Sequence, residues 1–434
     1  MTAAKEQDGA STQTGAGPKG PLSGSNAVWF ALLCALAAGA VLCGYEMLRS
    51  TASTLFVKTY GKQGLPWALG LSLIGIATLT YLYGRLLSWI GPRYTLFATT
   101  ILAMATMLGC FVAIRLGLTA AVVVLFVFKE SYVVLLIEQI WSYIDSKFDP
   151  AAGRTWNGPI CGVAGMGAVL GGLLVGYLSR PLGTLNLLWL AAVFTVPALP
   201  VYALLFSKFG PPKGGKKKHS QTDHLGLHLF KTERVLVLLI GLIAATQVVS
   251  VLLEITFRGA LADYLPGLDE QNAFSGKYYA LVNFAAMFLQ FVGAPLLLSL
   301  FSGRVIQLLV PLVNLLSLFS MMLWPSLTTC ALAYGIYKTL DYSLFRASKE
   351  LLYVPLSFDA RYRAKEVIDV LGNRASKGLA SLGVTALQWA GVVFSALLYG
   401  AVCLSAVAAW LGLAWALTGP QKNKQLQTQK DHKE

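Results

Sequence analysis

Charge is scarce in this chain. Only 12% of its 434 residues are Asp, Glu, Lys or Arg, while 56% are apolar. A soluble domain carries about 25% charged and 45–50% apolar residues, so a water-soluble enzyme is excluded and the surplus apolar surface must meet lipid. Cysteine is sparse and scattered: Cys34, Cys43, Cys110, Cys161, Cys330 and Cys403 stand singly without a CxxC pair, which argues against a disulfide framework and a cysteine zinc site. The four histidines, His219, His224, His228 and His432, fall in polar stretches, so an imidazole proton relay at membrane depth is not expected; without an HExxH pattern they read as solvated side chains. Strand-like alternation is also lacking, which removes an outer-membrane barrel. No nucleophile, base and orienter are set out as a catalytic constellation, so the chain reads as not an enzyme, with no cofactor and no metal. Gly210 to Lys217 spells GxxxxGKK; it lacks the Ser or Thr that would hold magnesium and follows an apolar run, so it reads as a basic linker.

What the chain has is apolar runs of about 20 residues, the length that crosses a bilayer as helix. Mean hydropathy is +0.63. The fold class is therefore all-α, a polytopic membrane protein of about twelve helices. The spans start near Ala27, Leu65, Tyr94, Leu118, Trp156 and Leu185, and again near Val235, Lys277, Val305, Leu327, Val367 and Val392. Residues 1–26 are polar and lack the apolar core of a signal peptide and the arginine pattern of a transit peptide, so they read as a disordered tail. The division is then a repeat over 27–207, a linker over 208–234, a repeat over 235–417 and a basic tail over 418–434.

The net charge of +14 belongs to loops rather than to a nucleic-acid surface. Between Lys208 and Arg234 seven cations face Asp223 and Glu233, and the positive-inside rule makes that loop cytoplasmic. Arg85 and Arg93, Lys147 and Arg154, Arg361, Arg363 and Lys365, and the tail lysines fall on the same side, while Asp263, Asp269 and Glu270 fall opposite. Both termini are expected in the cytoplasm.

The halves echo each other. Glu46 and Arg49 recur as Glu254 and Arg258, Phe148-Asp149 as Phe358-Asp359, and Arg93 as Arg304, all at offsets of 208 to 211 residues. Four matches in register imply two parallel six-helix repeats, the major-facilitator plan, with a substrate site between the halves. Gly84, Gly91, Pro92 and Arg93 form a weak relative of that superfamily's loop signature. The glycines from Gly162 to Gly176 read as a close-packing face.

Ionisable residues at membrane depth cost several kcal/mol unless they meet water or a partner, so each marks a candidate site. Glu46 and Arg49 at i,i+3, and Glu254 and Arg258 at i,i+4, each lie on one helix face. The fourth helix carries Lys129, Glu130 and Glu138; the tenth carries Lys338, Asp341 and Lys349 on one stripe drawn at helical period, with Arg346 and Glu350 beside them. These are helices one, four, seven and ten, which line the central cavity in that plan. Arg49, Glu130, Glu254, Arg258, Lys338 and Lys349 are the expected substrate contacts; Glu46, Glu138, Asp341, Arg346 and Glu350 are expected to support or couple them. So many cations suit a phosphate-bearing anion.

The run from Asp341-Tyr342-Ser343-Leu344-Phe345 through Lys349-Glu350-Leu351-Leu352-Tyr353-Val354-Pro355-Leu356, then Lys365, Ile368-Asp369-Val370-Leu371-Gly372-Asn373-Arg374 and Lys377, resembles the signature of the nucleotide transporter family. These are the ATP/ADP translocases of obligate intracellular bacteria and plastids. Leu48-Arg49-Ser50-Thr51, Glu130 and Leu253-Glu254 extend the likeness. It implies nucleotide transport, with Glu130, Glu254 and Lys349 at transport positions and Ala52 where the family has a lysine. The expectation is a secondary nucleotide carrier in a bacterial inner membrane, its partners an anionic small molecule and lipid and no nucleic acid. The alternatives are a carrier of another phosphorylated or organic anion and a non-transporting membrane scaffold.

Overall fold

The computed structural model describes residues 22, 24–211, 234–353, 368, 372–392 and 396–419. Among them every regular element is helical. The order is α1 (Gly24–Tyr60), α2 (Leu65–Arg115), α3 (Ala120–Lys147), α4 (Pro150–Leu182), α5 (Leu187–Thr195), α6 (Ala198–Phe209), α7 (Arg234–Tyr264), α8 (Leu268–Phe288), α9 (Ala294–Leu300), α10 (Gly303–Leu323), α11 (Leu327–Leu340), α12 (Arg346–Tyr353), α13 (Asn373–Trp389) and α14 (Ala396–Thr418). Among the described residues nine helices are long and apolar enough to cross a membrane, so the protein is multi-pass. Two helical stretches fall short for stated reasons. The α11–α12 run carries five charged side chains, and α13 has 17 residues.

Backbone chemistry sets the breaks. Gly91 adopts φ 75° inside α2, a left-handed conformation that glycine takes without steric cost, and Pro92 follows with no N–H to continue the ladder. One apolar stretch of 51 residues is thereby kinked into two helical segments. Asp149 caps α4 by accepting from Ala152 N at 2.7 Å, with Pro150 at the first helical position, where its absent N–H costs nothing. Two five-residue π turns, Leu289–Gly293 and Asp341–Phe345, join α8 to α9 and α11 to α12. The second lies inside the stretch from Lys338 to Lys349 and changes the helical period there, while Asp341 stays within electrostatic range of both lysines.

The buried apolar residues form two clusters, one built from residues 22–209 with Val251 and Ile255 and one built from residues 236–417. They are called the first and second bundles below. Helix α4 touches both. A side chain at Gly167 or Gly171 would meet the backbone of Gly39 or Cys43 in α1, and one at Gly172 or Gly176 would meet Gly276, Lys277 and Ala280 in α8. The glycine face is thus a packing face that serves two partners at once, as small residues do between helices in lipid.

The expected tail 1–26 meets helix already at Gly24. Its residues 1–21, most of the linker 208–234 with the three histidines, the motif residues Val354 to Lys365 and Asp369 to Leu371, and tail residues 420–434 lie outside the described residues.

Candidate functional site: a buried charge cluster between the bundles

Three carboxylates organise the centre of the molecule. In α3, Glu130 takes Lys129 Nζ on one oxygen at 2.5 Å and Lys377 Nζ of α13 on the other at 2.9 Å. Lys377 also reaches Glu254 of α7 at 3.3 Å, so a single ammonium ties a carboxylate of the first bundle to one of the second. Arg374, three residues before Lys377 and on the same face, donates to the Glu130 carbonyl at 3.2 Å. Glu254 in turn receives Arg258 Nε at 3.4 Å. The third carboxylate, Glu46 in α1, lies 2.6 Å from Arg49.

Tyr279 in α8 stands between the two arginines. The Arg49 guanidinium lies 3.7 Å from the centroid of its ring, and Arg258 Nη2 donates to its hydroxyl at 3.1 Å. Below it on α8, Asn272 is fully buried and donates to Thr51 at 3.3 Å and to Ser179 at 3.1 Å. Arg49 also faces the rings of Tyr45 and Tyr342 electrostatically.

Four of the six expected substrate contacts, Arg49, Glu130, Glu254 and Arg258, come together here with Glu46. Lys338 sits to one side in α11, donating to Ser250 at 3.3 Å and lying among the rings of Tyr334, Tyr337 and Tyr342. Asp341 lies within electrostatic range of Lys338, Arg346 and Lys349, and Lys349 is buried, whereas Glu138, Arg346 and Glu350 are exposed. Ala52, where the resemblance places a lysine, is wholly buried in the first apolar cluster, one helical turn beyond Arg49.

Sequence reasoning left Lys129, Lys377, Arg374 and Tyr279 out of the site. Lys129 is 1% exposed, with its ammonium 3.9 Å from the Phe126 ring centroid. For Lys377 and Arg374 a signal existed, since a cation pair at i,i+3 opening an apolar span is as costly as the pairs that were weighed. For Tyr279 there was none, because a tyrosine in an apolar run looks like core. Among the described residues no group of three or more His, Cys, Asp or Glu could hold a metal ion.

Five cations (Arg49, Lys129, Arg258, Arg374 and Lys377) thus surround three carboxylates (Glu46, Glu130 and Glu254). Among the described residues this leaves two positive charges in excess at a largely buried site, and low-dielectric surroundings penalise uncompensated charge.

The helical frame is shared with solved membrane transporter structures. It superposes on the crystal structure of a point mutant of the nucleoside transporter NupG with a TM-score of 0.67 at 15% identity, covering 89% of this chain and 98% of that one. On the D-xylose-proton symporter the TM-score is 0.63 at 15% identity, covering 88% and 97%. The chain belongs to the TLC ATP/ADP transporter family, whose model matches residues 193–420, a stretch that includes Glu254, Arg258 and Lys377 and leaves out Arg49 and Glu130. The plastidic ATP/ADP-transporter of Solanum tuberosum is 26% identical over 228 residues, 48% of this chain and 36% of that protein. The chloroplastic ADP,ATP carrier protein 2 of Arabidopsis thaliana is 28% identical over 193 residues, 39% of this chain and 31% of its own length. The matches span about a third of these relatives' length, and the family is one of carriers rather than enzymes.

Proposed function

We propose that this protein is a secondary carrier that moves a nucleotide across a membrane by alternating access between two six-helix bundles, twelve passes in all. The observation that carries the reading is the cluster's positive excess, shared by both bundles through Lys377. A phosphate chain supplies the compensating charge, and the arginine forks and lysine ammoniums offer the donors that phosphate oxygens accept. Membership of the ATP/ADP transporter family supports a nucleotide as the solute. In this reading Arg49, Arg258 and Lys377 grip phosphate oxygens, Glu130 and Glu254 hold the cations in place while the site is empty, and Lys338 and Lys349 border it.

The loop charges support a bacterial inner membrane with both termini in the cytoplasm. A second reading, a carrier of another phosphorylated anion, is favoured by Ala52. That buried position supplies no second cation beside Arg49, so the grip on a triphosphate is weaker than in relatives that carry the lysine.

Uptake of radiolabelled ATP, ADP, AMP and sugar phosphates by proteoliposomes containing the purified chain decides between them. Saturable nucleotide uptake competed by ADP is expected. Uptake of sugar phosphate with none of any nucleotide removes the first reading.

A further inference from the structure

Helix α8 presents one polar stripe to the first bundle. Asn272, Gly276, Tyr279 and Asn283 recur at i, i+4, i+7 and i+11, the spacing of a single helix face. Each meets α1 or α4. Asn272 bonds Thr51 and Ser179, Gly276 packs on Gly172 and Gly176, Tyr279 lies under Arg49, and Asn283 lies beside Glu46. The buried Nε and Nη2 of Arg49 make no hydrogen bond, although Nη2 touches Glu46. These two nitrogens are therefore held by the Glu46 charge and the ring face, a poor exchange for an ion taken out of water.

We propose that Tyr279 is an interdomain latch. Its ring holds Arg49 of the first bundle, its hydroxyl holds Arg258 of the second, and it yields both cations when an anionic substrate offers them oxygens. The ring face satisfies none of the guanidinium's N–H donors, whereas a phosphate accepts two in fork geometry, so arrival of the anion favours release of the ring. Because Arg49 and Tyr279 belong to different bundles, release frees the seam that Asn272 and the glycines extend toward the Asp263 end. Tyr279 is a positioning residue. It acts through the two arginines and need not touch the solute. The inference rests on the carrier reading above for the identity of the anion, and its test separates the two.

Ser275 is fully buried beside the stripe, and its hydroxyl has no partner, so Ser275→Cys places a reporter thiol in the seam at little cost. Alkylation of this thiol by a membrane-impermeant maleimide is followed in the full-length chain in nanodiscs, with the chain lacking the reporter as blank. Tyr279→Leu, which removes ring and hydroxyl, is expected to raise the rate about tenfold, the size of a desolvated cation–ring contact. Tyr279→Phe keeps the ring face and loses Arg258, and is expected to label faster than the parent but slower than Tyr279→Leu. ADP is expected to speed labelling of the parent and to add nothing in Tyr279→Leu. A Tyr279→Leu rate equal to the parent's overturns the latch. If that variant fails to fold, as judged by gel filtration, Tyr279→Phe decides, and a rate equal to the parent's overturns it there. Fast labelling of the variants with no response of the parent to ADP keeps the latch and removes the nucleotide.

Discussion

The two Glu/Arg pairs occupy corresponding places in the two halves of the sequence and are built differently. Glu46 and Arg49 form a close pair at 2.6 Å within α1, and Arg49 turns its remaining surface to aromatic rings. Glu254 and Arg258 are looser at 3.4 Å, because Glu254 divides itself between Arg258 and Lys377, and Arg258 divides itself between Glu254 and Tyr279. One pair is nearly self-contained. The other is a junction whose members are all shared. A junction can hand a cation to a ligand and keep its remaining bonds; a self-contained pair has to break. The difference places the adjustable electrostatics in the second bundle, where the family match also lies.

The largest effect expected from disturbing this arrangement follows loss of Lys377. Lys377→Ala leaves Glu130 and Glu254 facing each other across the bundles, and removing one partner from a buried ion pair costs about 3–5 kcal/mol. Uptake per folded protein should fall more than about a hundredfold, while Lys377→Arg should restore part of it. Near-normal uptake by Lys377→Ala would show that the junction is not part of the transport site.

A double-mutant cycle on thermal stability compares the pairs directly. The coupling between Glu46 and Arg49 should be about 0.5–3 kcal/mol, the range for residues in direct contact, and the coupling between Glu254 and Arg258 should be visibly smaller because each keeps another partner. Equal couplings would erase the distinction between pair and junction.

The smallest effect is expected at the rim, where Lys62 meets Asp263 at 2.6 Å with both side chains about half exposed. Exposed pairs contribute at most about 1 kcal/mol, so Lys62→Ala should barely move the melting temperature. A large fall would mean that the seam is held from its end rather than from its centre.

Hydropathy alone is enough to read the helical membrane fold, because lipid demands long apolar helices and tolerates no other open structure. The faces of the two Glu/Arg pairs are equally readable, since i,i+3 and i,i+4 spacing settles neighbours within one helix. Partners in different helices are not. Nothing in the sequence places Lys377 between Glu130 and Glu254, 247 and 123 positions away in the chain, or turns Tyr279 toward Arg49. The π turn between Lys338 and Lys349 leaves no mark in composition. Ala52 is a subtler case. Its spacing of three from Arg49 gives a shared face, and what the sequence leaves unread is that the position is fully buried among apolar neighbours.

Gly171 and Gly172 put bare backbone on two neighbouring faces of α4, the first against α1 and the second against α8. Interlocked side chains in motion must change rotamer in concert, and each locked rotamer is a small barrier. At the α4–α8 glycines there are few rotamers to reset. In the carrier reading proposed above, such a contact would act as a plain bearing, with few interlocked side chains to resist sliding. Adding a methyl group at Gly172 would turn the bearing into a ratchet tooth, slowing the cycle without touching the solute.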